Sequence, residues 1–424
     1  MTYQPRIIDS MLERLLSGLP AVAIDGAKGV GKTETASRLA GSIVALDDEG
    51  ERELTRGNPA RLGTLAPPVL LDEWQLLPQV WDRVRRSVDA HAPAGSFILT
   101  GSASPHEAPT HTGAGRIVRL RMRPMSLAER GLCPPTVSLA QLLSGEKPAV
   151  GGESPVTVSD YTKEITASGF PGIRSVPDEF RNDLMDGYLT SIVEREFEDS
   201  GATVRRPTAL RAWMAAYAAA TSSVASYSAI LDAATYGESE KPARTTTTVY
   251  RNLLERMWLL DEVPAWVARQ PFLTSLAKTP KHHLADPALA ARLLGVSTPQ
   301  LLNEPNPVGS WVGHHGTLLG AFFEGLVTLS VQTYAGAAKA RVYHLRTARG
   351  EHEVDLIVER DDGRIVALEV KLAPEVNAAD VKHLLWLRDQ LGDDLLDAAV
   401  ITTGPGCYRR ADGIAVVPAA LLGP

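Results

Sequence analysis

Eight residues restrict the fold of this chain more than any others: Gly26-Ala27-Lys28-Gly29-Val30-Gly31-Lys32-Thr33, a complete G-x-x-x-x-G-K-T loop. The apolar run Ala21-Val22-Ala23-Ile24 before it reads as a short buried strand. Glu34-Thr35-Ala36-Ser37-Arg38-Leu39-Ala40 after it reads as the first turns of a helix. Strand, glycine loop and helix in that order turn consecutive backbone N–H groups inward at a helix N-terminus, where they cradle a polyphosphate. Gly26, Gly29, Val30 and Gly31 form the cradle, with Glu34 just beyond it. Lys32 is expected to reach the β- and γ-phosphates, and the Thr33 hydroxyl to sit on Mg²⁺. The expected ligand is a nucleoside triphosphate, ATP, bound with Mg²⁺.

The flanking sequence supplies the rest of such a site. Apolar residues at helical spacing predict a helix over Arg6–Leu16, and Ser42–Asp48, an apolar run ending in two acids, reads as a second strand. Val69-Leu70-Leu71-Asp72-Glu73 is an apolar strand ending in two carboxylates, about 40 residues after the phosphate loop, the Walker B arrangement. Asp72 is expected to hold Mg²⁺ through water, and Glu73 to orient or deprotonate the attacking water. Phe97-Ile98-Leu99-Thr100-Gly101-Ser102 is a further strand with small polar residues at its carboxyl end. Strand ends of that kind line the ligand crevice of a parallel sheet, so either Thr100 or Ser102 is placed to sense the water or the γ-phosphate. Arg116 is a candidate cation for the γ-phosphate, in cis or from a neighbouring subunit of a homo-oligomer.

Arg6-Ile7-Ile8-Asp9, the phosphate loop, Leu71-Asp72-Glu73-Trp74-Gln75, Leu99-Thr100-Gly101-Ser102-Ala103 and Gly115-Arg116-Ile117, followed by Arg123-Pro124-Met125-Ser126-Leu127-Ala128-Glu129, occur in the order of one family. The chain resembles the AAA-type bacterial and archaeal ATPases whose C-terminal portion is the DUF4143 domain. Ser168-Gly169-Phe170-Pro171 is similar to that family's Gly-Gly-Phe/Tyr-Pro turn. Tyr188–Glu196 is similar to the helix after it, although Glu196 stands where the family more often has Asp. The resemblance runs from about Arg6 to about Val417 and implies an ATPase.

A Pro-, Gly- and Ser-rich stretch over 133–159 reads as a linker. Beyond it the chain turns helical at Asp178–Phe197, Pro207–Ala220, Ser223–Thr235 and from Arg244, a spacing that suggests a winged helix-turn-helix. DNA or RNA is then a candidate partner. Against it, the presumed recognition helix carries only Arg244, Arg251 and Arg256, with Glu255 among them. The net charge of −7 also argues against a general nucleic-acid binder. A lid or subunit-interface role is the alternative. The pairs His282-His283 and His314-His315 have no carboxylate at matching spacing and are not expected to be ligands. Two distant cysteines, no leader-like N-terminus and no run of 18 apolar residues predict a protein of the cytoplasm with no membrane contact.

The C-terminal portion carries a second constellation. Glu324 lies on an apolar helix, Asp355 on a strand, and Glu369 and Lys371 on the return strand after the Asp361-Asp362-Gly363 turn. Together they resemble a PD-(D/E)xK nuclease core, with Val354 where that motif has proline. The resemblance implies that Glu324, Asp355 and Glu369 hold Mg²⁺ or Mn²⁺, and that Lys371 activates water beside a scissile phosphate. The expected fold class is α/β. A P-loop AAA-type ATPase domain (1–132) leads through the linker (133–159) to a helical, winged-helix-like middle (160–305) and a restriction-endonuclease-like α/β domain (306–424). Three functions are compatible with this: ATP hydrolysis coupled to nucleic-acid cleavage or remodelling, a nucleotide-dependent switch whose C-terminal fold only binds, or, more weakly, hydrolysis of a small nucleotide at one of the two sites.

Overall fold

The computed structural model describes residues 3–102, 113–196, 207–235, 244–267, 279–303, 317–347 and 350–424. Five short strands build the first sheet: β1 (Ala21–Asp25), β2 (Ser42–Ala45), β3 (Val69–Asp72), β4 (Phe97–Gly101) and β5 (Val118–Arg121). Their order is β2-β3-β4-β1-β5 and every pairing is parallel. β1, β3 and β4 are buried along their whole length, as continuous apolar runs covered on both faces must be. The register sets Asp25 beside Gly101 and Leu71 beside Leu99. The segments following β1, β3 and β4 therefore emerge on one edge of the sheet, where ligands of open α/β sheets bind.

Helix Ile7–Leu16 covers one face of this sheet through Ile8, Leu12 and Leu16. On the other, Val80, Trp81 and Val84 of helix Gln79–Asp89 pack with Trp74, the two indoles 4.6 Å apart. The middle region is helical, with Asp178–Ser191, Pro207–Ala219, Tyr227–Ala234 and Arg244–Arg256 followed by isolated antiparallel bridges from Leu260 to Leu284 and Val263 to Lys281. The helix expected to run to Phe197 stops being α-helical at Ser191 and continues as a π-helical turn over Ile192–Glu196.

The remaining strands are β6 (Val137–Ser138), β7 (Gly152–Glu153), β8 (Arg341–Arg346), β9 (Glu353–Glu359), β10 (Ile365–Val370), β11 (Leu395–Thr402), β12 (Gly406–Arg409), β13 (Ala415–Pro418) and β14 (Leu422–Gly423). Seven of them form a mixed sheet in the order β7-β12-β13-β11-β10-β9-β8. The stretch 133–159 is more than a connection: β6 pairs with β14 and β7 with β12. Its Pro and Gly content hid two-residue strands whose partners lie far away in sequence. Helix Leu318–Ala337 is apolar on nearly all sides because it is central, touching both the N-terminal helix Ile7–Leu16 and the C-terminal strand β8. Ser330 Oγ and Tyr334 OH accept the Leu127 and Ala128 backbone N–H groups at 3.1 and 3.0 Å. Among the described residues no helix is long and apolar enough to cross a membrane.

Candidate nucleotide site

The phosphate loop has the backbone its glycines permit. Gly29 and Gly31 have φ of +84° and +101°, in the left-handed region that side chains disfavour. A Cβ on Gly26 would stand 2.2 Å from the Met122 carbonyl oxygen, so the loop can only approach the end of β5 without one. Lys32, almost fully buried, donates from Nζ to the carbonyls of Gly26 and Ala27 at 2.9 and 3.0 Å. Val30 is buried beneath the loop, and Glu34 is exposed at the rim.

Thr33 Oγ1 donates to both oxygens of Asp72, at 2.9 and 3.0 Å. Burial raises the Asp72 pKa, and the hydroxyls of Thr100 and Thr33 oppose that shift by stabilising the carboxylate. A hydroxyl facing a carboxylate at the end of a phosphate loop is an oxygen-only set that fits Mg²⁺ arriving with a nucleotide. Glu73 follows with φ +50°, and its carboxylate meets Ser102. Ser102 Oγ donates to Glu73 Oε2 at 2.8 Å, and Gln75 Nε2 donates to the same oxygen. The two small hydroxyls that the sequence left as alternatives thus serve different acids. Thr100, fully buried, donates to Asp72, while Ser102 holds Glu73.

Arg116 is not brought to the phosphate loop of its own chain. It precedes β5, at the opposite edge of the sheet from the loop, and pairs there with Asp89 at 2.8 Å. The arginine that does touch the loop is Arg6. Its Nη1 donates to the Val30 carbonyl at 2.8 Å, its Nη2 to the Arg123 carbonyl at 2.7 Å, and its Nε to Glu129 at 3.0 Å. Glu129 in turn accepts from the Ile7 and Ser126 backbone N–H groups, both at 2.8 Å. The first and last stretches of the family pattern are therefore one buried ion pair behind the phosphate loop. Their separation of 123 residues concealed this in the sequence.

The middle region closes over the same loop. Phe170 packs on Tyr188 with tilted rings, centroids 5.1 Å apart, and lies against Gly29, and Tyr188 OH donates to the Lys28 carbonyl at 3.1 Å. The turn that carries Phe170 is pinned by Asp286, which accepts from Ser168 Oγ at 2.6 Å and Gly169 N at 2.7 Å. A Cβ on Gly169 would stand 2.8–2.9 Å from the Arg130 guanidinium and the Met125 backbone. Gly169→Ala is expected to cost about 1–3 kcal/mol by overpacking, read as a lower denaturant midpoint. An unchanged midpoint would mean that the turn docks elsewhere.

Beside the helix that starts at Lys32 is a cavity of about 570 Å³, with Tyr3, Arg6, Gly31, Thr35, Met125 and Pro171 among its lining residues. Its apolar walls and its place next to the loop give it the size and character of a small-molecule site.

The C-terminal residues singled out by the sequence also meet, but around a lysine. Lys281, 1% exposed in its side chain, reaches Glu324 at 2.8 Å, Asp355 at 3.0 Å and Glu353 at 3.6 Å. Asp355 accepts the Val370 backbone N–H at 2.9 Å, and Lys371 Nζ donates to Glu369 at 2.7 Å. Burial pushes the Glu324 pKa up to about 8 against the pull of Lys281, and burial with Asp355 alongside pushes Glu369 to about 8. Burial would raise Asp355 too, but Lys281 and Lys371 hold it below the usual carboxylate range. Among the described residues no group of three or more His, Cys, Asp or Glu side chains is disposed to hold a metal ion. The expected Mg²⁺ or Mn²⁺ site does not fit this arrangement.

His282 is a hydrogen-bonded core residue, its Nδ1 3.1 Å from Glu262 and its Nε2 2.7 Å from the Ala225 carbonyl. His283 is buried, and burial pushes its pKa down to about 3. His314 and His315 lie outside the described residues.

Comparison with known proteins places families on three parts of the chain. Residues 19–130 match a family described as an AAA domain, 158–300 match the domain of unknown function DUF8612, and 319–422 match the domain of unknown function DUF4143. Uncharacterised proteins of Mycobacterium bovis and Mycobacterium tuberculosis are each 26% identical over 430 residues, covering 99% of this chain and 84% of theirs. Among solved structures, the Walker-type ATPase PABY2304 of Pyrococcus abyssi aligns at 16% identity over 67% of this chain and 94% of its own, with a TM-score of 0.42. The ORC2 protein of Aeropyrum pernix, in ADPNP–ADP complexes, aligns at 15% identity over 68% and 90%, with a TM-score of 0.27. The chain thus resembles an AAA domain over its N-terminal part and the DUF4143 domain over its C-terminal part.

Proposed function

We propose that this chain binds and hydrolyses ATP at the edge of the parallel sheet, and that the nucleotide state is read by the helical middle region folded over the phosphate loop. The observation that carries the reading is the convergence of Lys32, Thr33, Asp72, Glu73 and Ser102 at adjoining strand ends. Lys32 now donates to loop carbonyls, and the same ammonium would turn to the β- and γ-phosphates. Thr33 and Asp72 would hold Mg²⁺, which supplies charge neutralisation between the phosphates. Glu73 would orient the attacking water and take its proton, with Ser102 and Gln75 fixing the carboxylate until substrate arrives. The cavity between Tyr3, Thr35 and Pro171 suits the nucleobase. It is walled by both the ATPase domain and the middle region, so base binding would tie the two together. Arg116 is free of any geometric duty at its own loop and remains suited to a neighbouring subunit's.

A switch accounts for the C-terminal portion better than nucleic-acid cleavage does, because a buried lysine sits among the acids that cleavage would require. DNA reading by helix Arg244–Arg256 has little support: Arg251 lies over the Tyr227 ring at 4.5 Å and pairs with Glu255 at 3.3 Å. The test is ATP turnover by the full chain with Mg²⁺. Lys32→Ala is expected to lower it by about 10²–10³-fold, the usual loss of a cation that stabilises transition-state charge. Wild-type turnover in that variant would contradict the assignment.

A further inference from the structure

Lys281 belongs to the middle region, and its backbone is fixed before its side chain is considered. Its N–H donates to the Val263 carbonyl and its carbonyl accepts from Val263 N, both at 2.9 Å. From that two-way bridge the side chain runs inward to three acids on two separate stretches of the C-terminal portion. These are Glu324 on helix Leu318–Ala337 and Glu353 and Asp355 on β9, and Asp355 is itself tied to the backbone of β10 at Val370. An ammonium has three N–H donors and no acceptor, and here three carboxylates surround it. A hard divalent cation would require several of the same oxygens at about 2.0–2.6 Å. It could not share them with a buried positive charge already 2.8–3.0 Å from two of them. Glu369 has one buried oxygen without a hydrogen-bond partner, and a single oxygen is no substitute for the shell such an ion needs.

We propose that Lys281 is the resident cation of this acidic cluster, standing where a nuclease-like fold would carry a divalent ion, and that the cluster is an ionic anchor joining the middle region to the C-terminal sheet. The anchor is continuous with the nucleotide side of the molecule. Asp261 donates its N–H to the His283 carbonyl at 2.9 Å, and its carboxylate accepts from Arg123 Nε at 2.6 Å, one residue from the Met122 carbonyl that abuts Gly26. Burying an ion pair contributes little net stability by itself, but removing one partner leaves unpaired buried charge. An anchor of this kind fixes one arrangement of the two regions.

The inference does not depend on ATP hydrolysis and is tested without nucleotide. Mn²⁺ binding to the full-length protein is measured by electron paramagnetic resonance for wild type, Glu324→Gln and Lys281→Met. Wild type and Glu324→Gln are expected to bind Mn²⁺ equally weakly, because the cluster is closed to metal in both. Lys281→Met, which removes the charge and keeps an apolar stem, is expected to gain a Mn²⁺ site at least about tenfold tighter than any in wild type. Wild-type Mn²⁺ binding that Glu324→Gln abolishes would overturn the proposal, and so would a folded Lys281→Met that gains no site. If Lys281→Met does not fold, the pair of wild type and Glu324→Gln still decides the matter.

Discussion

Glu73→Gln is expected to lower ATP turnover by about 10²–10⁴-fold, the usual contribution of a positioned general base, while leaving ATP binding close to that of wild type. The separation of the two effects follows from the geometry. Glu73 makes no hydrogen bond to the phosphate loop; its carboxylate is held by Ser102 at 2.8 Å and by Gln75. Glutamine keeps the shape and the acceptor for Ser102 but cannot take a proton from water. Turnover in steady state and binding of ATP at equilibrium read the two quantities independently. Loss of binding alongside turnover would show that Glu73 holds nucleotide, not water.

Arg6→Ala carries the largest expected effect on stability, a loss of about 3–5 kcal/mol. The guanidinium is 4% exposed and its partner carboxylate on Glu129 3% exposed, so neither charge can turn to water when the other is removed. The Val30 and Arg123 carbonyls lose their donor as well. Unfolding by denaturant gives the shift directly. The double variant Arg6→Met with Glu129→Leu is expected to be less destabilised than Arg6→Ala alone, because no buried charge is left behind. Equal losses in the two would show that packing of the arginine stem, not charge, is what matters there.

What the sequence disclosed was what neighbouring residues settle among themselves. The strand, glycine loop and helix around Lys32 are consecutive, and the apolar runs ending at Asp72 and at Thr100 announce buried strands by composition. Alternation put Glu369 and Lys371 on one face, but only the resemblance to a nuclease core grouped them with Asp355. The remainder depends on pairings across long stretches of chain. Nothing near Lys281 says that it will enter a cluster whose acids lie 43 and 74 residues away. The Arg6–Glu129 pair and the pairing of β6 with β14 and of β7 with β12 were hidden for the same reason. For Arg116 the residue type suited the γ-phosphate, but only strand direction reveals that it precedes β5 at the edge away from its own loop, which leaves the neighbouring-subunit alternative.

The central claim is that the loop at Gly26–Thr33 is a nucleotide site, and calorimetric titration of ATP with Mg²⁺ into Glu73→Gln tests it most directly, because slow turnover leaves the ligand intact. The prediction is a single ATP per chain, with affinity falling by at least about tenfold when Lys32→Ala is added, from the loss of a charge-assisted contact to phosphate. Stoichiometric binding with unchanged affinity in the double variant would contradict it.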